Sequence, residues 1–417
     1  MTRSAPVSPV ARQVTCTAPV NIAVVKYWGK RDAKLILPSN SSLSVTLSQD
    51  DLHSRTTISL APTHVTDRMW LNGSECSVPA NERLVNCLAA ARRHREALEK
   101  ANPELPRWST WGIHIGSENN FPTAAGLASS ASGYACLVFT LAQVLELPLT
   151  GPELSRYARL GSGSACRSIM GGFVAWNMGT QADGTDSQAY QVAPETHWPE
   201  LEALILVVND AKKGTSSTVG MQTTVATSAL AAHRFTHVVP ERMRAMETAI
   251  ADRDFAQFAE LTMQDSNQFH AICLDTYPPI FYMNDTSKAV VHLVTAINRL
   301  MPTIQAAYTF DAGPNAVIYA PRDHMTRLLQ LFTYFFPAPT DVSTRDFFND
   351  PYARVPEGVV LGRDFPAEYQ AVRDTFAVST PGAVKRIIHT RVGDGPRVLS
   401  SPEASVLNAQ GLPKSLK

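Results

Sequence analysis

The sequence predicts a two-domain protein of the α+β class. Its 417 residues, 44% of them hydrophobic, suffice for two domains with separate cores. Short strand-like runs dominate the opening part, whereas the second half begins with a buried strand and continues mainly through amphipathic helices. Between these regions, P-T-A-A-G-L-A-S-S-A at 122–131 joins a loop of tiny residues to the start of a long helix. Small residues let backbone N–H groups approach an anion closely, and the helix dipole adds partial positive charge there.

Along the chain, residues 1 to 12 are rich in Pro, Ser and Ala and read as a loose arm. Strand-like runs follow at 14–17, 21–25, 43–47 and 56–60, and Trp70-Leu71 before the turn pair Asn72-Gly73 predicts a hairpin. After Pro79, the basic, alanine-rich pattern of 83–100 fits an exposed amphipathic helix, followed by a Pro-containing loop and a strand at 111–115. The helix after the small-residue loop is expected from Ser129 to Leu147, because Pro148 must end it. Phe173 to Asn177 reads as another strand, and the polar, turn-rich stretch 180–199 as a crossing between domains. The boundary is therefore placed near Pro199, giving units 1–199 and 200–417.

The second unit opens on the apolar run 203–208 and continues through helices to about Arg299. Strands at 305–310 and 316–319 flank D-A-G-P-N, whose Gly and Pro favour a sharp turn presenting Asp311 at a strand end. Residues 336–366, rich in Pro, Asp and aromatics, read as a surface excursion, and 384–390 as a returning strand.

Lysine plus arginine and aspartate plus glutamate each number 37, so the net charge is zero and a broad nucleic-acid or membrane-binding surface is not expected. A highly anionic ligand must instead meet a few gathered cations. Six widely spaced cysteines without a C-x-x-C pair read as reduced, buried thiols, hence a cytoplasmic type of compartment. No secretory signal, membrane span or peroxisomal S-K-L ending is recognised; the last three residues are S-L-K.

Several polar segments can carry chemistry, and each has a structural alternative. Lys26 and Lys30 in N-I-A-V-V-K-Y-W-G-K-R lie four apart around Tyr27 and suit phosphate oxygens, or form a solvated strand end. Ser162, Ser164 and Arg167 in S-G-S-A-C-R can line one site, or cap a helix and form a surface pair. K-K-G-T-S-S-T from Lys212 suits diphosphate contacts or a mobile lid, or is a heavily furnished helix cap. Arg83 in N-E-R is a further cation, by default exposed on a helix. Asp311 stands without a second acid in its turn, so it is either a lone catalytic carboxylate or an Asx-turn stabiliser. Neither a Walker-type loop nor a G-x-G-x-x-G fingerprint occurs.

Pro122, Gly126, Leu127, Ser129, Ser130 and Ala131 meet the P-x-x-x-G-L-x-S-S-A pattern of the small-molecule kinase superfamily of galactokinase, homoserine kinase and the mevalonate kinases. With the segments around Lys26, Arg83, Arg167, Lys212 and Asp311, the chain resembles the diphosphomevalonate decarboxylase family from about Val14 to G-D-G-P at 393–396. The resemblance implies an N-terminal domain like one in ribosomal protein S5, a ferredoxin-like C-terminal domain, an intervening cleft and a homodimer. It also implies ATP and Mg2+ as cofactors and mevalonate 5-diphosphate as substrate. Nucleotide contacts are implied for Pro122, Ala125, Gly126, Leu127, Ala128, Ser129 and Ser130. Substrate contacts are implied for Ala23, Tyr27, Lys30 and Arg83, for Ser162, Ser164 and Arg167, and for Ser217 and Thr218. Catalytic roles fall to Asp311, Arg167, Lys26 and Ser130, with Asp311 accepting the proton of the substrate's 3-hydroxyl and lying within bonding reach of Arg167, whose charge is expected to depress the aspartate pKa. A simple metabolite kinase and a catalytically silent ligand sensor on the same fold are the rival readings.

Overall fold

The computed structural model describes residues 11–121, 129–208 and 214–415. It is a mixed α+β, two-domain fold built on three main sheets. The largest has six strands in the order Arg397–Leu399, Arg12–Pro19, His53–Ala61, Gly112–Asn119, Arg68–Leu71, Ser74–Cys76, antiparallel except where Arg68–Leu71 runs parallel to Gly112–Asn119. The expected hairpin forms, with Asn72 and Gly73 both at positive φ (50° and 82°), as a two-residue type I′ turn requires. A second, four-stranded antiparallel sheet has the order Ala189–Ala193, Phe173–Trp176, Ser42–Thr46, Asn21–Val25. The third orders Ala307–Phe310, Ala316–Pro321, Leu201–Val207 and Arg386–Arg391, again antiparallel.

Period-two alternation along the central strand of the third sheet joins the two halves. Leu201, Ala203, Ile205 and Val207 pack into one core with Val20, Ile22, Val45 and Phe173 of the first half. Leu204 and Leu206 face the opposite core, under the Asp285–Leu300 and Met325–Phe335 helices. The latter helix is not assigned by the sequence reading.

Several expectations need correction. The Ser129 helix ends at Val144, not Leu147. Glu146 turns left-handed (φ 51°), and the Leu147 and Glu146 N–H groups return to the carbonyls of Ala142 (2.9 Å) and Gln143 (3.3 Å), a Schellman closure ahead of Pro148. The supposed crossing at 180–199 contains the strand Ala189–Ala193, which pairs with Phe173–Trp176. The 336–366 excursion is anchored by buried Phe336, Phe347 and Phe348. The helix Glu82–Ala101 is not simply exposed: Arg95 and Glu99 are buried and paired at 3.0 Å, with the guanidinium stacked on Trp108. Residues beyond Val392 return to the first half, so the second unit does not run unbroken from 200 to 417. Most of the arm at 1–12 lies outside the described residues, and the first strand already includes Arg12.

Among the described residues no helix is long and apolar enough to cross a membrane. All six cysteines are free, and only Cys76 is not buried.

The third sheet also buries a charge cluster. Glu202 accepts from His389 Nε2 (2.8 Å) and Arg354 Nη2 (2.6 Å) and is paired with Arg322 (3.2 Å). Burial alone raises its pKa, but His389 and Arg354 outweigh that and bring it from the ordinary 4.5 down to about 2. Its stabilising contribution is therefore complete above about pH 4.5 and is lost as pH falls through about 2. Glu202→Ala, which removes the shared acceptor of buried His389 and partly exposed Arg354 and Arg322, is expected to cost about 1–3 kcal/mol, measured by chemical denaturation at neutral pH. Glu202→Gln is expected to remove this component of the acid dependence of melting temperature.

Candidate active site

The site is built around one residue at the end of a buried strand. Asn21–Val25 delivers Lys26 into the interior, where the lysine is only 2% exposed. Its backbone N–H donates to Asp265 Oδ1 at 2.7 Å, and its carbonyl accepts from Asn40 Nδ2 (2.9 Å) and Arg234 Nη2 (3.2 Å). Its Nζ donates to Asp311 Oδ1 at 2.6 Å. Asp265, fully buried on the Phe255–Leu274 helix, is held by Arg234 (2.9 Å) and Arg242 (2.9 Å). Although burial pushes its pKa up, the two arginines hold it below the ordinary value.

Asp311 follows the strand Ala307–Phe310, and its turn is pinned at several points. Gly313 N–H donates to the Asp311 carbonyl (2.7 Å), Ser287 Oγ to the Pro314 carbonyl (2.8 Å), and Val208 N–H to Asn315 Oδ1 (2.8 Å). Nearby His270 is pushed down to about 4, by burial first and by Lys26 second, and is therefore neutral at physiological pH.

From the first half, Gly163–Ile169 forms a 3₁₀ helix in which residues three apart eclipse, setting Ser164 and Arg167 on one side. Arg167 is buried; Nη1 donates to Ser42 Oγ (2.6 Å) and Nε to Ser44 Oγ. Burial lowers its pKa to about 10, leaving it a cation at neutral pH. Among the described residues it has no carboxylate ion pair. The expected bonding contact with Asp311 is replaced by Lys26–Asp311, and Asp311 reaches Arg167 only as a longer-range charge. The lysine wins because its strand is anchored by the Asp265 cluster while the guanidinium is committed to the two serines.

Tyr27 packs edge-on to Trp176 (4.9 Å), and its buried hydroxyl has no hydrogen-bond partner. Burial raises its pKa above the ordinary value. A Cβ on Gly163 would come within 2.7–2.8 Å of the Tyr27 ring, so this glycine is what lets the ring lie there. Arg83 Nη2 donates to Thr218 Oγ1 at 2.7 Å, linking the two domains across the opening. Burial, then Arg83, lowers the pKa of Lys30. Ser130, Ser162 and Ser164 form a chain of hydroxyls spaced at 3.3 Å.

These elements converge on one cavity of about 160 Å³, with Asp265, Arg234, Arg242, His270, Ser42 and Ser44 standing behind its lining. Of the predicted residues, Lys26, Tyr27, Lys30, Arg83, Arg167 and Asp311 line it, as do Ala23, Ser130, Ser162, Ser164, Ser217 and Thr218. Ser129 starts the helix that brings in Ser130 but is not part of the lining. Pro122, Ala125, Gly126, Leu127, Ala128, Lys212 and Lys213 lie outside the described residues. The sequence reading missed Ser42, Ser44, Asp265, Arg234, Arg242 and His270. The alternation S-L-S in 42–44, which puts both hydroxyls on one strand face, is the one signal that was available.

The lining has four cations, Lys26, Lys30, Arg83 and Arg167, against one acid, Asp311. Such an excess is costly unless a polyanion enters, and the unmatched Arg167 and the orphan Tyr27 hydroxyl give it partners. No group of three or more His, Cys, Asp or Glu able to hold a metal occurs among the described residues. Magnesium would be bound mainly by phosphate oxygens, with Ser130 and Asp311 as available oxygen donors, a donor set that fits this ion.

Two family models cover most of the chain: a diphosphomevalonate decarboxylase-like N-terminal domain over 18–189 and a mevalonate 5-diphosphate decarboxylase C-terminal domain over 203–399. The chain is 54% identical over 406 residues to diphosphomevalonate decarboxylase of Ganoderma lucidum, covering 96% of this chain and 99% of that one. The structure of mevalonate diphosphate decarboxylase from Trypanosoma brucei superposes with a TM-score of 0.84 at 38% identity, over 95% of this chain and 100% of that one. A further solved structure, MDDEF in complex with MVAPP, AMPPCP and magnesium, has a TM-score of 0.71 at 28% identity, over 94% and 100% of the two chains. With this geometry and these matches across both halves, the chain belongs to the diphosphomevalonate decarboxylase family.

Proposed function

We propose that this protein catalyses the ATP-dependent decarboxylation of (R)-mevalonate 5-diphosphate to isopentenyl diphosphate, releasing ADP, phosphate and CO2. The observation that carries this reading is the single cavity in which Asp311 of the second half joins four cations of the first. The substrate has both a carboxylate and a diphosphate, and the two kinds of cation suit them separately. Lys30 and Arg83 at the opening suit the diphosphate, with Ser217 and Thr218 beside them. Arg167, fixed by Ser42 and Ser44, presents a planar fork suited to the carboxylate, with Ser162 and Ser164 alongside. Ala23 and Tyr27 wall the substrate's carbon skeleton.

Bound ATP with magnesium supplies the phosphoryl group and spreads its developing charge over phosphate oxygens. Ser130 and the small-residue segment 122–128 would hold its phosphates. Asp311, oriented by Lys26, accepts the proton of the 3-hydroxyl as that oxygen attacks phosphorus. The C3–O bond then breaks with phosphate as leaving group. The C1–C2 bonding pair becomes the new double bond to C3, and CO2 departs. Neutral His270, close to the Lys26–Asp311 pair, adds no positive charge to the region of the electron-deficient C3. Arg167 holds the carboxylate in place until this last step.

The matches to decarboxylase models over both halves favour this reading over a simple kinase, and a silent sensor has no use for the Lys26–Asp311 pair. We also place the protein in the cytoplasm, acting as a homodimer on the route to isoprenoids and sterols. Its free, mostly buried thiols suit a reducing compartment.

Incubation with ATP, Mg2+ and mevalonate 5-diphosphate is expected to release CO2, ADP and phosphate in equal amounts; ADP alone would identify a kinase and no product a sensor. Asp311→Asn is expected to lower kcat by about 10²–10⁴ while substrate affinity, measured by calorimetry, changes little. Asp265→Asn is expected to lower kcat through misplacement of Lys26, by about 10², and to cost about 3 kcal/mol in stability. Arg167→Gln is expected to raise KM for mevalonate 5-diphosphate while leaving ATP affinity unchanged in equilibrium binding.

A further inference from the structure

A second concentration of positive charge, three arginines against one lining carboxylate, lies away from this cavity. A cleft of about 570 Å³ opens between the Glu82–Ala101 helix, the Gly151–Gly161 helix and the loop 183–185, and shares no lining residue with the active cavity. Arg93, Arg156 and Arg159 line it together with His94. Arg159 is only 4% exposed. Its Nη1 donates to the carbonyls of Gly184 (2.9 Å) and Ser187 (2.6 Å), yet its buried Nε has no hydrogen-bond partner.

Asp183 is the one carboxylate in the lining, and the acids at and around the cleft hydrogen-bond to neutral groups rather than to its arginines. Asp183 accepts from the N–H and hydroxyl of Thr185 (3.0 and 2.9 Å). Asp186 accepts from Thr180 N–H (2.6 Å), and Glu153 from Thr150 in a helix capping box (2.8 Å). His94 Nδ1 is 2.7 Å from the Tyr157 hydroxyl. Among the described residues no carboxylate forms an ion pair with Arg93, Arg156 or Arg159. A buried guanidinium without a direct ion pair is costly, and Arg159, with half-buried Arg156 and exposed Arg93 around the same cleft, is arranged as a claw for tetrahedral oxyanions.

We propose that this cleft is a second anion site, separate from the catalytic cavity, that takes a phosphorylated small molecule. Arg159 forms its floor, with Arg93 and Arg156 closing on the phosphate oxygens from the two helices. Ala90, Ala97 and Leu160 supply an apolar wall for the rest of the ligand, in a space suited to a small metabolite.

Inorganic diphosphate is the probe, with binding followed by equilibrium dialysis of the full chain. Because Arg159 is buried and its loss can unfold the protein, the variant is Arg93→Ala/Arg156→Ala, which alters exposed and half-exposed side chains. The wild type is expected to bind one more equivalent than this variant, or to bind it at least about tenfold more tightly, while decarboxylase kcat stays the same. Lys30→Ala/Arg83→Ala is expected to lose diphosphate from the catalytic cavity and keep it at the second site. A short alkyl diphosphate run in parallel identifies the source: tighter retention than inorganic diphosphate points to an ester against the apolar wall, equal retention to the free anion. Identical binding isotherms for wild type and Arg93→Ala/Arg156→Ala overturn the proposal.

Discussion

Lys26 is the point at which the two halves of the chain are made to agree. Its N–H is fixed by Asp265, its carbonyl by Asn40 and Arg234, and its ammonium group by Asp311. Three of these four partners come from beyond residue 200, whereas the strand that carries the lysine belongs to the first half. A buried ammonium group tolerates little misplacement, because loss of its counter-ion leaves an uncompensated charge in a poorly solvated interior. The position of the reactive carboxylate relative to the first domain is thus set by electrostatics, while the shared apolar core around Ile22, Ile205 and Tyr319 supplies the bulk of the adhesion.

The cavity extends the same principle to the ligand. Lys26 and Asp311 neutralise one another, which leaves Lys30, Arg83 and Arg167 as the charge that a bound anion meets. The protein keeps these cations apart by different means: Arg167 is held by neutral hydroxyls, Arg83 by Thr218, and Lys30 sits on a short two-stranded ribbon near the opening. The hydroxyl holders of Arg167 and Arg83 carry no negative charge. Each cation keeps its full attraction for an incoming phosphate or carboxylate, and the cost of assembling them is carried by the rest of the fold.

Much of this was legible in the sequence. The strands at 21–25 and 43–47 and the D-A-G-P-N turn followed from patterning and turn chemistry, and the main lining residues stood in short polar motifs among small residues. The residues behind them were hidden. Arg234 and Arg242 sit in helical segments where arginine is usually a surface residue, and Asp265 lies in an ordinary polar stretch of a long helix. Only the tertiary fold shows that Asp265 and Arg234 are buried against Lys26, with partly buried Arg242 holding Asp265 from behind. The exchange of Arg167 for Lys26 as partner of Asp311 has the same origin. Both cations were visible, but spacing along the chain carries no information on which of them a distant carboxylate meets. Strand Ala189–Ala193 was obscured because its apolar alternation is short and embedded in turn-forming residues.

The strand Arg397–Leu399 forms the edge of the six-stranded sheet, beside Arg12–Pro19, and the backbone at Gly393 joins Thr46 and Gly172. The chain must therefore be synthesised as far as Arg397 before this sheet acquires the ladder beside Arg12–Pro19. Until then one edge of Arg12–Pro19 offers unpaired N–H and C=O groups to any neighbouring nascent chain. Truncation in this closing segment would thus reopen an adhesive edge far from the chemistry, and the hazard of such a lesion lies in aggregation during biosynthesis before any loss of turnover.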